Sequence, residues 1–103
     1  MRIGIVGGVD RTAHLLQSVA AERGHELELH TGVISGSASA AGLRALVARS
    51  ELIVVVTDVN SHNAVRTARR EARLRHRALR IVRRIGASQL TALLNDLEQG
   101  RAA

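Results

Sequence analysis

Short apolar runs alternate with segments of helical periodicity from one end of the chain to the other. The runs predict strands at residues 3–6, 26–30, 51–57 and 79–82, and the periodic segments predict helices at 12–23, 43–48, 61–76 and 88–99. Residues 31–41 are rich in Gly, Ser and Ala and are predicted to form a loop. This alternation is typical of strand–helix units that build a parallel sheet.

The order of these elements predicts a single small α/β domain over residues 1–103. The run at 51–57 is apolar and largely β-branched, as in a strand that helices cover on both faces. Right-handed crossovers then favour a Rossmann-like or flavodoxin-like sheet of about four parallel strands in the order 2-1-3-4, with helices on both faces. A sheet this small leaves an edge to cover, so a homodimer or a higher homo-oligomer is expected.

The composition narrows the classes of function. The chain has no Cys, Phe, Tyr or Trp, which excludes thiolate metal sites, a cysteine nucleophile and the aromatic platforms that stack single-stranded bases. The longest apolar run, at 52–56, is too short to cross a membrane, and the first residues do not resemble a signal peptide. We therefore expect a cytoplasmic protein without a membrane partner.

The positive charge of the chain is concentrated in one segment. The net charge is +6, all fifteen basic residues are arginine, and nine of them lie between residues 66 and 84. Five recur at helical spacing and could align with the phosphates of a nucleic acid, namely Arg66, Arg69, Arg70, Arg73 and Arg77. A solvated helix face in a GC-rich organism is the alternative explanation.

Polar residues collect where the predicted strands end, which is the edge where open parallel sheets bind ligands. A histidine in the first turn of a helix lies at the positive end of the helix dipole, which favours the neutral imidazole, the form that binds haem iron or a divalent metal. The candidate ligands of such a group are His62, His30, His14 and Asp58. The candidate contacts of an anion, including haem propionates, are Gly7, Gly8, Arg11, Ser61, Asn63, Arg83 and Arg84.

Two other interpretations of this edge remain open. The polar stretch before helix 61–76 could serve only as a helix cap. Catalysis is the second: Ser61, His62 and Asp58 are the residue types of a hydrolytic triad, but neighbours on one helical turn diverge and cannot form it. We therefore predict a binding or sensing module at this edge. Its first candidate ligand is haem, and the next candidates are a divalent metal ion or a small anion.

His25 and His76 are expected to face solvent at the opposite end of the sheet.

The order of these motifs resembles that of bacterial domain-of-unknown-function family 2325. The likeness covers almost the whole chain and is carried by Val6-Gly7-Gly8, by His30-Thr31-Gly32 and by the stretch Thr-Asp-Val-Asn-Ser-His-Asn-Ala at 57–64. It implies a small Rossmann-like fold with a site at these positions, where His30 and His62 match the family motif and His14 matches it loosely. Members often carry an aspartate at the end of the second strand, and this chain does not.

Overall fold

A four-stranded parallel sheet organises the part of the chain that the computed structural model describes, residues 1–8, 13–58 and 60–102, of which 100–102 are described for the backbone alone. The elements in chain order are β1 (Arg2–Val6), α1 (Ala13–Glu22), β2 (Glu26–His30), α2 (Ser37–Arg49), β3 (Leu52–Val56), α3 (His62–Leu74), β4 (Ala78–Val82) and α4 (Ala87–Ala102). The strand order is β2-β1-β3-β4 and all pairs are parallel. The predicted fold class and strand order are confirmed.

Helices cover both faces of the sheet and enclose two apolar cores. On one face, α1 and α4 pack over Ile5 and Val54. On the other face, α2 and α3 pack over Val6 and Val55. Every residue of β3 is buried, because β3 has a strand on each side and helices above and below it. No helix in the described part of the chain is long and apolar enough to cross a membrane.

The start of α2 differs most from the predicted elements. The helix begins at Ser37, so the prediction of a loop is wrong for residues 37–41. The Ala40 N–H donates to the Gly36 carbonyl in the first turn, and Leu43 and Val47 anchor the helix in the core. Packing of these later turns outweighs the weak periodicity of the first one. The other described element ends differ from their predicted positions by at most three residues.

His25 was expected to face solvent, and this prediction is wrong. Its side chain is only 5% exposed, and its Nε2 lies 3.6 Å from Oε1 of Glu98 on α4. The neighbouring Arg23 donates to Oε2 of Glu98 at 2.5 Å and to Oδ1 of Asn95 at 2.6 Å. The end of α1 is therefore held against α4 by polar contacts that the sequence pattern does not reveal. His76 is exposed, as expected.

Candidate functional site

Asn60 lies at the centre of the carboxyl edge of the sheet. Its Nδ2 donates to the carbonyl of Val6 at 3.0 Å and to the carbonyl of Val56 at 2.8 Å, which are the last residues of β1 and β3. Its Oδ1 accepts from the N–H of Ser61 at 2.9 Å. One carboxamide therefore joins two strand ends to the start of α3.

Two glycines make room for this carboxamide. Gly7 and Gly32 have φ angles of 91° and 82°, and a Cβ atom at either position would lie 2.4 Å from the Asn60 side chain. The Gly7 N–H donates to the His30 carbonyl at 2.9 Å, and the Ser61 N–H donates to the Gly32 carbonyl at 3.2 Å. The predicted role of Gly7 in anion binding would require breaking its bond to His30.

Gly8 has a packing role of its own. Its φ angle is 64°, and a Cβ atom there would lie 2.8 Å from Cγ1 of Val56. The double glycine after β1 thus allows close packing against the last residue of β3. This packing accounts for Gly8 without a bound anion.

Both ring nitrogens of His30 are used within the protein. Nδ1 accepts from the N–H of Gly32 at 3.0 Å, and Nε2 lies 3.2 Å from the carbonyl oxygen of Ser39. Because a backbone N–H can only donate, Nδ1 is unprotonated and Nε2 donates its hydrogen to Ser39. A metal or haem iron at His30 would have to displace one of these two hydrogen bonds.

The start of α3 has one residue with a capping role and two without. The Ser61 hydroxyl accepts from the N–H of Ala64 at 3.1 Å and caps the helix, as the capping interpretation predicted. The next two residues, His62 and Asn63, are exposed and make no hydrogen bond to the described residues. Their side chains are therefore available to a partner.

Asp58 is oriented toward the end of β4. Its carboxylate accepts from Nε of Arg84 at 3.1 Å and from Nε of Arg83 at 3.4 Å. Exposed pairs of this kind stabilise a fold by about 0–1 kcal/mol. The two arginines that were predicted to bind an anion thus already share one carboxylate.

The four predicted metal ligands, His62, His30, His14 and Asp58, lie among the described residues. Among the described residues, no group of three or more His, Asp or Glu side chains could hold a metal ion. His14 lies exposed on α1. Arg11, a predicted anion contact, lies outside the described residues.

The exposed side of α3 carries four arginines, which we call the arginine face: Arg66, Arg69, Arg70 and Arg73. At about 100° per residue they lie within an arc of about 100° on the helix. All four are exposed, and none has an ion pair with any other described residue. The opposite side of the helix is buried through three alanines, Ala64, Ala68 and Ala72.

Acidic residues are missing from the exposed side of α3. Its first turn contains none, so no side chain of that turn offsets the positive end of the helix dipole. Glu71 is buried and accepts from Arg75 at 2.7 Å. Arg77, the fifth predicted nucleic-acid contact, lies beyond the helix and donates to the Ala48 carbonyl of α2 at 3.1 Å. It is therefore not part of the arginine face.

The family comparison agrees with this architecture. Residues 2–97 match the family described as uncharacterized proteins conserved in bacteria (DUF2325). The chain belongs to this family. The DUF2325 match confirms the resemblance seen in the sequence motifs and extends from β1 into α4. No curated protein and no solved structure matches the chain significantly.

The central role of Asn60 was missed in the sequence. The residue was counted among the possible caps of α3, where Ser61 fills that position instead. A signal was present, because glycines follow both β1 and β2 while a short amide side chain follows β3. The last residues of β1 and β3 meet at one edge of the sheet, and a short amide that follows them can donate to both of their carbonyl groups.

Proposed function

We propose that the chain binds nucleic acid through the arginine face of α3. The observation that carries this proposal is the alignment of four exposed guanidinium groups without an acidic partner among the described residues. Like charges three and four residues apart destabilise a helix by about 0.2–0.5 kcal/mol per pair. The phosphates of a nucleic acid would offset this repulsion, because each guanidinium group would then lie beside a negative charge.

Double-stranded nucleic acid suits the surface better than a single strand. Readers of single strands stack bases on aromatic side chains, and the chain has none. Arginine side chains bind phosphate oxygens through paired N–H groups and remain charged at any physiological pH. The positive end of the α3 dipole adds to the attraction.

The test is fluorescence anisotropy of a short labelled DNA duplex over a range of salt concentrations. The slope of log K against log salt should be close to −0.9 for each phosphate contacted. In the variant Arg66→Gln/Arg73→Gln, binding should weaken and the slope should become shallower by about 2.

A matched control separates the arginine face from overall charge. The variant Arg2→Gln/Arg49→Gln removes the same charge from two exposed arginines, which pair with Glu26 and Glu28. It should bind the duplex with nearly the wild-type slope. Equal losses in the two variants, or no binding by the wild type, would overturn the proposal.

A metal-centred ligand, haem first, is the second candidate. The observation that favours it is the exposed imidazole of His62, which is free of hydrogen bonds to the described residues. Haem iron needs only one protein ligand, unlike a zinc ion with its three or four. Arg83 and Arg84 keep further N–H groups that propionates could accept from.

An absorption titration with haemin, beside elemental analysis of the purified protein, tests this second candidate. A saturable, sharp Soret band is expected for the wild type and for His30→Ala, and its loss is expected for His62→Ala. His30→Ala is the informative comparison, because the His30 nitrogens are already bonded within the protein. The absence of a saturable band in the wild type would exclude haem.

A further inference from the structure

The two unassigned residues at the start of α3 are continuous with the arginine face. At about 100° per residue, His62, Asn63 and the four arginines all lie within an arc of about 120°. Ser61 already caps the helix, so neither His62 nor Asn63 is needed for that purpose. The helix thus exposes an amide and an imidazole at its first turn, followed by guanidinium groups over its remaining turns.

This order of side chains is the one found on helices that bind in the major groove of a duplex. The first residues of a recognition helix contact base edges, and residues around and beyond them contact the backbone. An asparagine presents a donor and an acceptor in one plane, which pair with N6 and N7 of adenine. Asn63 and Arg73 are about 15 Å apart along the helix axis, so the face extends from the groove to the flanking phosphates.

The neighbouring helix α2 exposes small residues, among them Ala38, Ala41 and Gly42, and two further arginines, Arg44 and Arg49. A Cβ atom placed on Gly42 would meet no other atom within 4 Å. A groove about 12 Å wide can receive the side chains of one helix.

We infer that α3 reads the base sequence of duplex DNA in the major groove, with Asn63 on an adenine and the arginine face on the phosphates. This inference rests on the proposed nucleic-acid binding. It assigns a role to Asn63, one of the two exposed polar residues that helix capping leaves unexplained. Asn63 sets the preference for sequence, and the arginines supply affinity for any duplex.

The test is a selection from a library of randomised DNA duplexes, followed by anisotropy measurements on the enriched duplex and on a scrambled one. The wild type should enrich a motif that contains adenine. Asn63→Ala should reduce the preference for this adenine by about tenfold, as expected for one bidentate contact, and should keep wild-type affinity for the scrambled duplex. Arg70→Ala is the matched control and should weaken both duplexes alike.

The outcomes separate this inference from the function on which it rests. Salt-dependent binding of all duplexes without an enriched motif would overturn base reading and leave nucleic-acid binding in place. An enriched motif that Asn63→Ala also prefers would overturn the role of Asn63. Tighter binding of duplex RNA would overturn major-groove reading, because side chains cannot read the deep and narrow major groove of RNA. No binding of any duplex would overturn both proposals.

Discussion

The Asn60 side chain adds hydrogen bonds to backbone groups at the carboxyl edge of the sheet. Its Nδ2 serves the carbonyls of Val6 and Val56 while its Oδ1 accepts from Ser61. Val6 and Val56 are buried, so water cannot replace the hydrogen bonds that their carbonyl groups accept from Asn60. The position therefore requires an amide with a short side chain, and a carboxylate would bring negative charge toward two carbonyl oxygens.

Replacement of Asn60 by alanine should lower the free energy of unfolding by about 1–3 kcal/mol, since two hydrogen bonds to backbone carbonyl groups are lost. Urea denaturation measures this as a lower midpoint. Asn63→Ala is the control, because Asn63 is exposed and makes no hydrogen bond to the described residues. It should change the stability by no more than about 0.5 kcal/mol. Equal stabilities of the two variants would contradict the role of Asn60.

Alanine variants of Gly7 and Gly24 separate two contributions to the free energy of unfolding, the cost of a left-handed backbone and the cost of a steric clash. Their φ angles are 91° and 79°, but only at Gly7 would a Cβ atom meet another side chain, 2.4 Å from Nδ2 of Asn60. Gly24→Ala should cost about 1–2 kcal/mol. Gly7→Ala should cost about 1–3 kcal/mol more because of overpacking. Thermal unfolding of the two variants gives the difference directly, and similar melting temperatures would show that Asn60 moves aside freely.

The contacts of individual site residues were harder to predict from the sequence than the places of those residues in the fold. The sequence placed His30, Ser61 and Asp58 at the carboxyl edge, because strands and helices alternate along the chain. It did not show that the His30 ring bonds to Gly32 and Ser39, since those contacts are with backbone atoms and depend on the path of the backbone after β2. The burial of His25 depends on α4, which lies far away in the chain.

At the scale of elements, α3 and α2 show what periodicity can and cannot predict. In α3, alanines and arginines alternate with helical spacing, so the sequence predicted both the helix and its charged face. In α2, the first turn is Ser-Ala-Ser-Ala, which has no apolar stripe and was assigned to a loop. Its conformation follows from the turns behind it, which Leu43 and Val47 fix in the core.

The contact of α1 with α4 should make the stability depend on pH in acid. The Arg23 guanidinium, and to a lesser degree His25, lower the pKa of the Glu98 carboxyl below its usual value. A carboxyl whose pKa is lowered by folding stabilises the fold above its unfolded pKa, near 4.3. This stabilisation is lost as the pH falls through the lower folded pKa.

The comparison of wild type with Glu98→Gln tests this dependence. At neutral pH the wild type should have the higher melting temperature, and the difference should shrink as the pH is lowered through the acid range. Among the described residues, Arg23 and His25 are the charged or titratable groups that contact Glu98, and Arg23 also donates to the neutral Asn95. A difference in melting temperature that stays constant down to the lowest pH would contradict the assignment to Glu98.

At the scale of the whole molecule, the fold followed from the sequence almost completely. Four apolar runs, their spacing and the right-handed crossover rule were enough for the order β2-β1-β3-β4. The homodimer remains a prediction. Both edge strands carry charge, with Glu26 and Glu28 on β2 and Arg80 on β4. Charges on edge strands prevent pairing between copies.

Removal of the charge on β4 should promote association. Arg80 is exposed beside Ile81, which is 47% exposed, so Arg80→Val leaves an apolar edge that can pair with another copy. Sedimentation velocity should detect larger species at a concentration at which wild type sediments unchanged. Arg44→Val, on the exposed side of α2, is the control. Association of the control alone would contradict a role for the sheet edge.

The Asn60 carboxamide also has a consequence for the kinetics of folding. Asn60 and Val6 are 54 residues apart in the chain, and their hydrogen bond can form only when β1 and β3 already lie side by side. Parallel pairing of strands that are distant in the chain is a slow step, because the intervening segment, here α1, β2 and α2, must cross over the sheet as the pair forms. An interaction made after that barrier slows unfolding and leaves the folding rate unchanged. The amide therefore prolongs the lifetime of the native state without speeding its formation.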